Sequence, residues 1–93
     1  MVDQPVLIGF QDDPTLYLFW CEGCNYCHHL DTKRWKWNGD LVRPTASPSL
    51  LINGAQDGGH PKCHIFIKAG KIQYLTDCTH KLAGSTVDMV PPP

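Results

Sequence analysis

Apolar and polar positions alternate most regularly between Cys63 and Cys78. That period of two is the mark of a β-strand with one buried face. Ala69-Gly70 is the turn signal inside the stretch, so the pattern predicts a β-hairpin with Lys68 opposite Lys71. Ile67 then faces Ile72, Ile65 faces Tyr74, and Cys63 faces Thr76. One face carries Cys63, Ile65, Ile67, Ile72, Tyr74 and Cys78. The other carries His64, Phe66, Lys68, Lys71, Gln73 and Asp77. A slip of one residue would exchange the faces, so the apolar pattern itself specifies the register.

Shorter apolar runs predict the remaining elements. Residues 5–10 and 15–20 read as two strands joined by the turn residues Asp12, Asp13 and Pro14. The second run leads into Cys21-Glu22-Gly23-Cys24. Residues 33–37 alternate basic and aromatic side chains and end at Asn38-Gly39, a hairpin turn signal. Pro44 and Pro48 keep residues 43–49 extended and feed a strand at 50–52, after which residues 53–62 form the longest loop. A short helical turn at 81–84 closed by Gly84, an edge strand at 85–90 and a stiff proline tail at 91–93 complete the chain. The expected architecture is a single, mostly β domain over residues 1–93, with hairpins and little helix.

Composition changes this picture at one point, the sulfur. With 93 residues, the chain buries roughly 60–65% of its unfolded surface, so its core is thin and a metal staple would matter. There are five cysteines, and neither a signal sequence nor an apolar run long enough to span a bilayer is visible. Metal binding in a reducing compartment is therefore the expectation, rather than disulfides. Cys21 and Cys24 form a Cys-x-x-Cys knuckle, and Cys63 and Cys78 lie on one face of the hairpin. These four make a tetrahedral Zn²⁺ site, with His80, His28 and His64 as alternate ligands and Cys27 as a spare thiol. His60, in the long loop, is a further histidine within reach of Cys63.

The formal charge of −1 offers no general attraction to nucleic acid or anionic lipid. Arg34, Trp35, Lys36 and Trp37 could nonetheless form a stacking platform for single strands, or the tryptophans could lid the core. Catalysis has one route from these residues: Asp77 and His80 beside Cys78 as a base for a metal-bound water. His-Glu-x-x-His is absent, as is the His-x-Glu of zinc deaminases, and no cysteine–histidine pair stands out as a nucleophile and its base.

A resemblance adds to these readings. It rests on Phe19-Trp20-Cys21-x-Gly23-Cys24-x-x-x-His28, Trp35-x-Trp37-Asn38-Gly39, Pro44-Thr45-x-Ser47-Pro48-Ser49, and the run from Cys63-His64 through Asp77-Cys78-Thr79-His80 to Gly84. The chain resembles a family of small Cys/His-rich proteins of unknown function common in tailed bacteriophages and prophages. Members sometimes carry the label ammonia monooxygenase, which no membrane segment here supports. The resemblance implies a phage product in the host cytoplasm or virion, and includes His28, His64 and His80 with the four cysteines. The resulting expectation is a zinc-stabilised, non-catalytic structural or accessory module that binds a phage or host protein, with homo-oligomer or virion assembly as further forms. The alternatives are a nucleic-acid-binding accessory protein and a small metal-dependent hydrolase.

Overall fold

The computed structural model describes residues 4–54 and 57–93. Its regular structure among the described residues is almost wholly antiparallel strand, arranged in two sheets. The first sheet contains β1 (Ile8–Phe10), β2 (Asp13–Cys21) and β3 (Tyr26–Asp31), in that order. The second follows chain order through β4 (Lys36–Trp37), β5 (Ala46–Ile52), β6 (Cys63–Lys68), β7 (Lys71–Tyr74) and β8 (Thr86–Asp88).

The β6–β7 hairpin has the register expected from its alternation: Lys68 pairs with Lys71, Ile67 with Ile72, and Ile65 with Tyr74. Cys63, Ile65, Ile67, Ile72 and Tyr74 are buried, as a half-covered sheet requires. Ala69 and Gly70 both have positive φ, the backbone shape that matches a two-residue turn to strand twist. The core continues through Phe19 and Leu30 of the first sheet, Val6 and Leu7 before it, and Ala46, Leu50 and Met89 of the second.

Several details depart from the sequence expectation. Pairing in the hairpin stops at Ile65 and Tyr74, and residues 75–78 leave the strand in a turn closed by the Cys78 N–H to the Leu75 carbonyl, at 3.2 Å. Cys63 therefore has no strand partner at Thr76. Residues 26–31, considered only as ligand candidates, form β3, so the Cys-x-x-Cys knuckle is the tip of a β2–β3 hairpin. The strand expected at 50–52 begins at Ala46 and contains Pro48. Pro48 lacks an N–H, and it is accommodated because four steps along β5 answer two along β6 between Ala46 and Leu50. Residues 81–84 form hydrogen-bonded turns rather than a helix, ending at Gly84 with φ 81°. Within the long loop, residues 55 and 56 lie outside the described residues, and Asp57–Gly59 is a 3₁₀ turn. No helix among the described residues is long and apolar enough to cross a membrane.

Candidate metal centre and candidate active site

The knuckle of the first sheet meets the open end of the second sheet's hairpin. Asn25 at φ 61° turns the chain out of the knuckle, and its N–H bonds the Cys21 carbonyl at 2.8 Å. Two strand positions further, His28 points into the buried space that Cys21 occupies, because Phe19 pairs with His28 and Cys21 with Tyr26. The ligand atoms of Cys21, Cys24, His28 and Cys63 lie within 4.8 Å of one another. Cys63, Cys78 and His80 form an adjoining group on the same criterion, sharing Cys63. Of the four expected cysteines, three therefore meet in one group with His28, and Cys78 stands beside it. Cys27 belongs to neither.

Two observations fit these residues to a metal ion. The Sγ atoms of Cys21 and Cys63 are 3.8 Å apart, and two thiolates at about 2.3 Å from a tetrahedral ion stand about 3.8 Å apart. The Nε2 atoms of His28 and His80 are buried without a hydrogen-bond partner among the described residues, although buried polar atoms are nearly always satisfied. His80 differs from His28 in its other nitrogen. Its Nδ1 accepts the Leu82 N–H at 3.2 Å, which leaves the proton of the neutral ring on Nε2. That nitrogen is thereby suited to donate toward a thiolate.

The electrostatics also call for a cation. Hydrogen bonding from Cys63 pulls the Cys21 thiol down to about 3, with help from His28, Tyr74 and the Cys24 N–H. Cys63, hydrogen-bonded to Cys21 and buried, moves above the ordinary thiol range. Burial, followed by the charge of Cys21, pushes Cys24 up to about 12. One thiolate is tolerated and further ionisation is opposed, as expected of like charges in a poorly solvated space. A divalent cation reverses that balance, because thiolates ligate only when deprotonated. Tyr74 steadies the edge of the cluster: its hydroxyl lies 3.2 Å from Cys21 Sγ and accepts the Gly23 N–H at 3.1 Å. Gly23 leaves room for the His80 ring, which a Cβ at that position would overlap.

On the opposite face of the same hairpin is a second constellation. Ser49 Oγ lies 2.9 Å from His64 Nε2. His64 Nδ1 lies 3.0 Å from Asp77 Oδ2 and 3.2 Å from Oδ1. Ser49 stands in β5 beside the stretched register, where a bulge re-aims a side chain. His64 is the second residue of β6, on the outward face, and Asp77 comes from the turn after β7. The His64 hydrogen bond, followed by the charges of His64 and Lys62, holds the Asp77 carboxyl below the usual carboxylate range. Lys62 Nζ is 3.6 Å from Asp77 Oδ2. A hydroxyl, an imidazole and a carboxylate bonded in that order match the arrangement of a nucleophile, its base and the group that orients the base. Asp77 therefore serves His64 and does not face the sulfur cluster as the expected base for a metal-bound water.

Sequence reasoning placed His64 and Asp77 on one face and still missed the site. Ser49 was the absent member, brought in from another strand across a bulge that period-two alternation cannot forecast. The usable signal was two polar residues, each adjacent to a buried cysteine and aligned on the face away from the core. In the basic–aromatic segment, Trp35 and Trp37 pack against the core, and Trp35 Nε1 donates to the Ser49 carbonyl at 3.3 Å. Tyr17 and Trp37 rings meet at a tilt, 4.7 Å between centroids, while Arg34 and Lys36 are exposed.

Comparison with known proteins corrects the functional expectation. No curated protein and no solved structure matches the chain. One family model does, over residues 3–75, and its description is bacterial ubiquitination-like system serine protease (BubE). That description overturns the reading of a non-catalytic structural module, and the match carries no link to bacteriophages. The alternative of a hydrolase fits it better, with a serine where a metal-bound water was expected. With most of its length matched, the chain belongs to the BubE family of bacterial ubiquitination-like system serine proteases.

Proposed function

We propose that this chain is a serine hydrolase that cleaves acyl bonds of a protein substrate within a bacterial ubiquitination-like system. The single observation that carries the reading is the Ser49–His64–Asp77 chain of hydrogen bonds at 2.9 and 3.0 Å. The family description, a serine protease of a bacterial ubiquitination-like system, supports a protein substrate. Ser49 Oγ attacks the scissile carbonyl carbon while His64 Nε2 takes its proton. The imidazolium so formed is stabilised by the ionised Asp77. His64 then gives the proton to the leaving amine or alcohol, which departs and leaves an acyl ester on Ser49. A water molecule, deprotonated by His64, hydrolyses that ester and restores the serine.

Zinc is proposed as a structural ion held by Cys21, Cys24, Cys63 and His28, a closed set that leaves no position for substrate. When bound, it would neutralise the thiolates and tie the two sheets together. His28 takes the fourth place because a ring nitrogen lies within 4.8 Å of the same three sulfurs and its Nε2 is buried without a hydrogen-bond partner among the described residues.

A fluorophosphonate probe tests the triad. Mass spectrometry should find the adduct on Ser49 in the wild-type protein and none in folded Ser49→Ala. A folded wild-type protein that takes no label, or equal labelling of Ser49→Ala, would reject the reading.

A further inference from the structure

The regular ladder between β6 and β7 ends one residue short of His64. Beyond that point, a sulfur atom takes the place of a strand neighbour. The His64 N–H donates to Cys78 Sγ at 3.2 Å, and the Cys78 thiol donates to the His64 carbonyl at 3.3 Å. The same carbonyl accepts the Leu75 N–H at 2.9 Å. Both main-chain polar groups of the proposed base are thus satisfied by the turn that carries Asp77.

Cys78 is buried, directly follows Asp77 in the chain, and closes that turn through its own N–H to Leu75. One residue therefore sets the position of His64 through its sulfur and that of Asp77 through its main chain. We infer that Cys78 is a positioning residue for the triad, holding the His64 main chain through its sulfur so that the imidazole meets both Ser49 and Asp77. The inference rests on the triad reading. It gives Cys78 a task apart from the four groups proposed to hold zinc, and its neighbour Cys63 links the two sites through the chain.

The test compares Cys78→Ala with Cys78→Ser in zinc-loaded protein. A displacement of about 1 Å in a catalytic group can cost about a hundredfold. Cys78→Ala should therefore lower kcat by about that factor with little change in KM. It should also remove the low-field proton resonance of the His64–Asp77 hydrogen bond, with fold and zinc content retained. Serine keeps a donor and acceptor in place, so Cys78→Ser should recover most of both signals. Wild-type kcat and resonance in folded Cys78→Ala, failure of serine to rescue, or loss of zinc with the fold intact would each overturn the role. Should both variants unfold, hydrogen exchange of the wild-type His64 amide decides: protection supports the anchor, and exchange as fast as a free turn amide removes it. If folded wild-type protein takes no fluorophosphonate, the triad reading fails on its own, while the low-field proton still reports whether Cys78 holds the His64–Asp77 geometry.

Discussion

The two faces of the β6–β7 hairpin hold the same kinds of atoms in different surroundings. On the inner face, Cys63 lies fully buried against Cys21, with Tyr74 opposite Ile65 and bonded to Cys21. On the outer face, His64 and Asp77 are partly open to solvent, with side-chain exposures of 26% and 45%. Burial makes the inner groups unable to share charge without a cation, so they suit a structural ion and no turnover. Partial exposure leaves the outer groups reachable, which a nucleophile and its base require. Adjacent residues along one strand, Cys63 and His64, thus serve different tasks because β geometry sends them to opposite sides.

Substitutions of the outer-face triad should therefore remove catalysis and spare the fold, whereas loss of a proposed zinc ligand on the inner face should cost the zinc and the fold together. The largest effect is expected of Asp77→Asn, which should lower kcat about 10⁴-fold, the scale seen when the orienting carboxylate of such a triad is lost. Zinc content and the unfolding midpoint near neutral pH should hardly move, and a parallel loss of zinc would break the comparison. The same variant sharpens it through pH. His64 depresses the folded-state pKa of Asp77. The stability from that contact is therefore complete above the ordinary carboxylate range and lost as pH falls through the lower folded value. Urea unfolding across the acid range should show that loss in the wild type and not in Asp77→Asn.

Next in size is Cys21→Ser. Losing a ligand and leaving buried thiols without their cation should cost about 4–5 kcal/mol, the scale reserved for metal loss and core disruption. Thermal unfolding with metal analysis reads it: zinc and the folded state should disappear together. Retained zinc with normal stability would show that the inner face does not depend on Cys21. Gly23→Ala should have the smallest effect. The added methyl must displace the His80 ring, an overpacking cost of about 1–3 kcal/mol. The unfolding midpoint should fall while fluorophosphonate labelling of Ser49 at low temperature stays close to wild type.

Local pattern made much of the fold legible. The hairpin register could be read because Ile65, Ile67, Ile72 and Tyr74 leave only one arrangement with a covered face. The edge strand at Thr86–Asp88, the first two strands and the Cys-x-x-Cys turn were legible for similar reasons. Residues 26–31 were not, because their histidines and cysteine suggested chemistry where backbone pairing to β2 decided the structure. His28 was only an alternate ligand, since its distance from Cys63 depends on how two sheets pack.

The amino-acid sequence by itself determined that the protein is mostly β, that its sulfurs gather at a knuckle and a hairpin end, and that His64 and Asp77 face away from them. Those features follow from a period of two and from turn residues that act over a few positions. Only the tertiary structure decided that His28 joins Cys21, Cys24 and Cys63, and that Ser49 reaches His64. Both depend on contacts between distant strands, one across a sheet interface and one across a stretched register. There the angstrom-scale spacing comes from packing rather than from order along the chain.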